Sequence, residues 1–122
     1  MAKQTLGPRD GEFLLSEAGG TRSREQITVA SGQDLEPGAV LGRVAASGEY
    51  AAWDPAATDG SETVAAINYA RAYAGGGAAE ALAIARDAEV SADLLVWRGA
   101  LSGAEKDAGA DGLRNLNIHP RT

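Results

Sequence analysis

Three carboxylates that lie in one short segment are the strongest candidates in this chain for a metal-binding or catalytic site. Asp54, Asp59 and Glu62 all lie between residues 50 and 67, and clustered carboxylates can bind calcium or act as an acid–base pair. Their spacing does not follow the EF-hand pattern of calcium ligands. Asp54 precedes a proline and Asp59 a glycine, which is common turn chemistry because the carboxylate accepts hydrogen bonds from downstream amides. We interpret the segment as a structural turn, with a weak cation site as the alternative.

The other candidate catalytic groups have no partner residues in the sequence around them. His119 is the only histidine and lies in a polar tail, whereas a catalytic or metal-binding histidine needs a fixed carboxylate or further ligands. Ser31 and Ser61 have no nearby base, which favours turn roles. The glycine triplet 75–77 lacks the following Lys-Ser/Thr pair of a phosphate loop. The sequence therefore predicts no catalytic, cofactor-binding or metal-binding residue, and no enzyme.

Composition narrows the class of protein further. A chain of 122 residues suits one domain, and its 16 glycines with only 5% aromatics indicate many turns and a modest core that gains from burial against other copies. The absence of cysteine excludes disulfides and thiolate metal ligands. A net charge of −6, with the acidic surplus after residue 30, disfavours nucleic-acid binding. We also expect no membrane partner and synthesis in a cytoplasm, because neither a spanning segment nor a signal peptide is evident.

Turn spacing predicts a mainly β fold. From residue 27 onward, turns recur about every 8–12 residues, which is typical of all-β domains. Alanine-rich residues 64–90 favour helix by propensity, but alternation on either side of the glycine triplet favours a hairpin. The tail 117–122 is expected to be exposed. Strands are predicted at 27–29, 40–44, 50–53, 67–73 and 82–84.

Two short helical segments are predicted near the C-terminal end of the chain. Ser91 is placed to cap a single helical turn with its hydroxyl group. Ser102 and Glu105 have the spacing of a capping box at the start of a second helix that continues to Leu116. Gly109 and Gly112 weaken this helix, because each costs about 1 kcal/mol relative to alanine in a helix interior.

The N-terminal residues 1–26 have glycines, mixed charges and one apolar island. This composition predicts a flexible arm, followed by a domain over residues 27–122. The island Phe13-Leu14-Leu15 has two interpretations that the sequence does not separate. It is either a docking segment that orders on a partner or a short strand packed on its own domain.

The two tryptophans are the largest apolar side chains of the chain. Each can bury about 200 Å², so they should dominate a core or a subunit interface. We predict that Trp53 lies in the core. Trp97 precedes Arg98, and tryptophan and arginine are enriched at interface centres. The sequence therefore leaves Trp97 between a core position and a subunit interface.

Several of these segments resemble one known family in their order and spacing. They are Arg24–Gln33, Leu35–Gly42, Tyr50 with Trp53-Asp54 and Thr58-Asp59-Gly60, and Leu94–Trp97. Together they resemble the head decoration proteins of tailed bacteriophages, the lambda protein D family, over roughly residues 24–118.

The resemblance implies a small, mainly β domain of the β-clip type, with one or two short helices and a flexible N-terminal arm. It also implies a homotrimer on the outer surface of the expanded head, where it binds the major capsid protein and stabilises the lattice against internal DNA pressure. The arm and the C-terminus are expected to face the capsid. In this chain we predict capsid contacts at Phe13, Leu14, Leu15, Ile27 and Val29, and no cofactor.

A second hypothesis is a small bacterial β-barrel that binds a ligand in an aromatic pocket formed by Trp53, Tyr69 and Tyr73. The arrangement of the aromatic residues separates the two hypotheses. A filled core and a three-fold seam favour the decoration protein, whereas a concave aromatic site open to solvent favours the ligand-binding domain.

Overall fold

The computed structural model describes residues 9–99 and 101–122, and within them the prediction of a mainly β protein is confirmed. A 3-10 turn, Ala92–Leu94, and one α-helix, α1 (Gly103–Asn115), accompany the strands. None of these helical segments has the length and hydrophobicity to cross a membrane. The strands are β1 (Leu14–Glu17), β2 (Arg24–Val29), β3 (Asp34–Leu35), β4 (Val40–Arg43), β5 (Tyr50–Ala52), β6 (Val64–Asn68), β7 (Ala72–Tyr73), β8 (Ala79–Ile84), β9 (Ala88–Ser91) and β10 (Ile118–Arg121).

Five strands close into a small barrel in the order β2-β5-β4-β6-β8. Its longest ladder joins β2 and β8 in antiparallel register, from Arg24 opposite Ile84 to Val29 opposite Ala79. Side chains alternate between the two faces of a strand, and in β2 Ile27 and Val29 are buried while Thr28 is exposed. Closure pairs the strands of the barrel on both sides and removes their free edges.

The predicted hairpin across the glycine triplet is only partly present. β6 and β8 pair in antiparallel register, with Ile67 opposite Ile84. β7 is not part of this hairpin. It pairs instead with β3 in a separate two-stranded sheet, with Asp34 opposite Tyr73. A period of two identifies residues 72–73 as a strand, but the period does not specify the partner strand.

A three-stranded sheet has β9 at its centre, between antiparallel β1 and parallel β10. The expectation of an exposed tail at 117–122 is wrong, because Ile118 is fully buried and begins β10. The apolar island adopts the second of its two interpretations, a strand packed on its own domain. The predicted boundary after residue 26 falls inside β2, so the folded unit already includes Phe13.

The helix α1 begins where the capping box predicts. The Ser102 Oγ accepts from the Glu105 N–H at 3.1 Å, and the Glu105 carboxylate accepts from the Ser102 N–H at 3.0 Å. The Ser91 side chain makes no capping bond to the 3-10 turn that follows it, so that part of the helix prediction is wrong. Gly109 is buried within α1. The rings of both tryptophans occupy the space that a side chain at this position would need.

Among the described residues, the buried apolar side chains form two clusters. The first, which we call the terminal core, joins α1 and the terminal strands; its members are Phe13, Val40, Trp53, Val64, Ile67, Ile84, Ala88, Val90, Leu95, Leu113 and Ile118. The second, which we call the barrel core, is smaller in side-chain volume; its members are Ile27, Val29, Leu35, Ala39, Leu41, Ala66, Ala72, Ala74 and Ala83.

Candidate functional site

A network of contacts attaches the N-terminal segment to the barrel. Phe13 is 1% exposed and meets the ring of Tyr69 edge-on, with 6.4 Å between ring centroids. Arg24 lies over the same Tyr69 ring, 4.6 Å from its centroid. Arg24 also donates two hydrogen bonds to the Glu17 carboxylate, at 2.9 and 2.8 Å. These bonds, with a further one from Ser23, lower the pKa of Glu17 to about 2.

The outer face of the β1-β9-β10 sheet is polar. The Ser16 hydroxyl donates to Glu89 at 2.7 Å, and the Arg121 guanidinium donates to the same carboxylate at 2.8 Å. Both bonds lower the pKa of Glu89. The Nε2 of His119 is 2.8 Å from the side-chain oxygen of Asn117, so its hydrogen-bond partner is an amide and not a carboxylate or a nucleophile. This sheet brings the N-terminal strand and the C-terminal strand onto one surface.

The five predicted capsid contacts are not equivalent in the structure. Leu15 is 57% exposed, and Leu14 is partly buried against the terminal core. Phe13 packs in the terminal core, whereas Ile27 and Val29 fill the barrel core. Because these three side chains are buried within the chain itself, we remove them from the set of candidate surface contacts.

Each carboxylate of the turn between residues 50 and 67 accepts from nearby backbone amides. Asp54 accepts from the Ala56 N–H at 3.0 Å, and Glu62 accepts from the Gly60 N–H at 2.8 Å. Asp59 accepts from both the amide and the hydroxyl of Ser61, at 3.0 and 2.6 Å. Within residues 9–99 and 101–122, no group of three acidic or histidine side chains is arranged to hold a metal ion. These hydrogen bonds from backbone amides to the three carboxylates agree with the interpretation of the segment as a structural turn.

The two tryptophans meet at the end of this turn. Their rings pack edge-to-face with centroids 5.8 Å apart, and the Trp53 indole N–H donates to the Glu62 carbonyl at 2.7 Å. Trp53 is buried, whereas Trp97 remains partly exposed. Gly109 packs directly on both rings. Sequence reasoning missed this contact, although a glycine inside a predicted helix was a signal of close packing.

Trp97 also forms one wall of a surface groove of about 230 Å³, which we call the Trp97 groove. Its lining includes Arg98 and two acidic residues, Asp34 and Glu36, which we call the acidic rim. The buried Asn68 amide fixes the acidic rim, since it donates to the carbonyls of Leu35 and Glu36 at 3.3 and 3.1 Å. The lining residues are Asp34, Leu35, Glu36, Ala39, Ala52, Val96, Trp97 and Arg98.

The aromatic pocket of the ligand-binding hypothesis is not formed by the described residues. Trp53 is buried in the terminal core. Tyr69 lies between Phe13 and Arg24, and Tyr73 is exposed on β7. None of the three lines the Trp97 groove or the polar depression over the β1-β9-β10 sheet.

A closed barrel and a flanking three-stranded sheet define a small, mainly β domain. A family model described as bacteriophage lambda head decoration protein D matches residues 3–118, and the chain belongs to this family. A search of curated proteins found no match. Family membership supports a capsid decoration role, with the phage capsid as binding partner and the virion as location.

Proposed function

We propose that this chain binds as a homotrimer to the expanded head of a tailed phage, contacts the major capsid protein and stabilises the lattice against internal DNA pressure. The observation that carries the proposal is the family match, which extends over residues 3–118. The role is structural and includes no catalytic step.

The β1-β9-β10 sheet is the surface that we propose to face the capsid. Its two outer strands are the first and last strands of the described structure, so the N-terminal segment and the C-terminal strand reach the same side of the molecule. β1 also presents Leu15, which is one of the few exposed large apolar side chains in the part of the chain that the structure describes. An apolar side chain on an otherwise polar sheet face offers a partner contact area at little cost in solubility.

Residues 1–8 precede this sheet, and we propose that they form the docking segment. A strand added to an exposed edge gains main-chain hydrogen bonds almost regardless of its sequence, which suits a segment with few apolar residues. Three such segments in one trimer would combine weak contacts into strong attachment, because each binding event after the first is intramolecular.

The direct test is light scattering after size-exclusion chromatography, followed by pelleting with expanded and with unexpanded heads. We expect the mass of a trimer and pelleting with expanded heads alone. A monomeric chain that stays in the supernatant with expanded heads would contradict the proposal.

Deletion of residues 2–8 tests the docking segment and retains every residue of β1 to β10 and α1. We expect a trimer of unchanged stability that no longer pellets with heads. Deletion of residues 1–26 is unsuitable, because it removes Phe13 and all of β1. A matched control replaces residues 2–8 by a Gly-Ser segment of equal length, which retains the reach of the chain. Full decoration by the truncated protein would show that docking lies elsewhere.

A further inference from the structure

Tyr73 is the most exposed large apolar side chain of the described residues, at 69%. Its ring lies over the backbone of Gly75, where an added Cβ would come within 2.2 Å of the phenolic oxygen. The glycine therefore allows the ring to lie against the loop while the rest of the ring faces solvent. A tyrosine held in this way presents a large contact area and loses little conformational entropy when it is buried by a partner.

The Trp97 groove has the size and lining of a receptor for one side chain. Its volume of about 230 Å³ lies below the roughly 300–1,000 Å³ of typical small-molecule sites. Leu35, Ala39, Ala52 and Val96 contribute apolar surface, and Trp97 forms a wall. Pockets lined by aromatic and aliphatic groups are the usual receptors for buried aromatic side chains at protein interfaces.

The charges beside Tyr73 match the charges on the rim of the groove. Arg71 lies two residues before Tyr73 and is exposed. One nitrogen of its guanidinium group donates a hydrogen bond to the Asp34 carboxylate at 2.8 Å. A guanidinium group has five N–H donors, so Arg71 retains donors for a second acidic partner. Glu36 is exposed on the acidic rim of the groove. Local pairing of this kind is needed for self-association, because copies of a chain with net charge −6 repel one another.

The Tyr73 side chain and the groove also lie at the same end of the molecule. Asp34, which lines the groove, is opposite Tyr73 in the β3-β7 pair. Two different but neighbouring surfaces, one inserting and one receiving, are what each subunit needs when several copies surround a common axis. A head-to-tail contact of this kind closes a ring when its rotation permits.

We propose that Tyr73 of one copy inserts into the Trp97 groove of the next copy, with Arg71 facing the acidic rim at Glu36. This inference rests on the homotrimer of the proposed function and assigns its seam. The occupant of the groove is a second copy of this chain, because the chain itself carries both the exposed aromatic side chain and the matching charges.

Substitution of Tyr73 tests the inserting side chain. With Tyr73→Ser we expect a trimer that dissociates at a concentration about tenfold or more above that of the wild type, as for an interface hot spot. The matched control is Leu15→Ser, which removes another exposed apolar side chain and should leave the mass unchanged. Equal melting temperatures of the monomeric fold would verify that Tyr73→Ser folds. A Tyr73→Ser trimer with wild-type dissociation would overturn the assignment.

Disulfide trapping tests the groove, and the described residues contain no cysteine to interfere. A chain with both Tyr73→Cys and Arg98→Cys should form a covalent trimer on oxidation, whereas neither single variant should. Loss of Arg98 breaks an exposed ion pair with Asp54, which costs at most about 1 kcal/mol.

The outcomes separate the two proposals. If the wild type is a trimer but the double variant yields no covalent trimer, the groove assignment fails and the homotrimer stands. If the wild type is a monomer at all concentrations while it still pellets with heads, both the seam and the trimer fail, and the decoration role stands.

Discussion

The terminal core and the barrel core differ in the size of their side chains, although the members of both are buried. The terminal core contains Phe13, Trp53, Leu113 and Ile118, and is sealed by α1 and both terminal strands. Five of the nine barrel-core residues are alanine, and two of its members, Leu35 and Ala39, also line the Trp97 groove. A chain with few aromatic residues has thus concentrated its large side chains in the terminal core, and the barrel core contributes residues to the groove that we assign to a neighbour.

This difference predicts opposite sensitivities. Burial stabilises by about 25 cal/mol per Å² of apolar surface, so the large side chains of the terminal core contribute most of the hydrophobic stabilisation, and truncation should be costly there. In the barrel core, truncation has little effect to exert, because the alanine side chains there contain only one methyl group. In the barrel core, added volume should be the damaging change, because a closely packed interior does not accept an extra methyl group without strain.

Phe13→Ala should have the largest effect on the free energy of unfolding. We expect a loss of about 3–5 kcal/mol in denaturant titrations, because a fully buried aromatic ring leaves a cavity. The control is Leu15→Ala in the same segment, which should change stability by less than about 0.5 kcal/mol as a surface substitution. Equal, small effects of the two changes would mean that the N-terminal segment is not part of the terminal core.

Gly109→Ala should destabilise the protein although alanine is the better helix former. The added Cβ would lie 2.5 Å from the Trp97 ring and 2.9 Å from the Trp53 ring, and overpacking of this kind costs about 1–3 kcal/mol. Gly103→Ala is the matched control, because nothing lies within 4 Å of its Cβ position. It should be neutral or stabilising. Thermal unfolding of both variants would show whether the tryptophan contact or the helix propensity of alanine determines the change in stability at residue 109.

Ala66→Val tests the barrel core by adding volume. Ala66 is fully buried on β6, opposite Leu41 of β4, so we expect a loss of about 1–3 kcal/mol despite the higher strand propensity of valine. Ala65→Val, on the opposite face of the same strand, should be close to neutral in the same urea titration. A stabilising effect at residue 66 would mean that the barrel core contains unfilled space.

Glu17→Gln should have the smallest effect and should depend on pH. The pKa of Glu17 is lowered from 4.5 to about 2, so its contribution is complete above pH 4.5 and is lost as the pH falls towards 2. We expect a loss of about 1.5 kcal/mol at pH 7, the lower limit for a hydrogen bond to a charged group, which shrinks to a small remainder near pH 2, where about half of the Glu17 carboxyl groups are protonated. Glu25→Gln, which breaks an exposed pair with Arg86, is the control. A stability difference that persists unchanged at pH 2 would exclude the Glu17–Arg24 pair as its source.

The sequence predicted the elements that depend on local chemistry. Alternation and turn residues located the barrel strands, and Ser102 with Glu105 located the start of α1. Of the two terminal strands, β1 corresponds to one of the two interpretations of the island Phe13-Leu14-Leu15, whereas β10 was missed because Ile118 is its one large apolar residue. Both pair with β9, which is far from β1 in the sequence, and no local pattern encodes that pairing.

The candidate site was predicted less well than the fold, because it depends even more on contacts between segments that are remote in the sequence. Whether Phe13, Ile27 and Val29 face a partner or the chain's own core depends on which strands cover them. The Trp97 groove arises where β3, β5 and the segment after the 3-10 turn meet, and the exposure of Tyr73 follows from the diversion of β7 to β3. These features depend on tertiary contacts between segments that are remote in the sequence.

The most direct measurement is a cryo-electron microscopy reconstruction of expanded heads that carry this protein. The account predicts density for three copies around three-fold positions, with the β1-β9-β10 sheet against the shell and Tyr73 of each copy in the Trp97 groove of the next. Single copies at other positions, or a sheet that faces away from the shell, would contradict it.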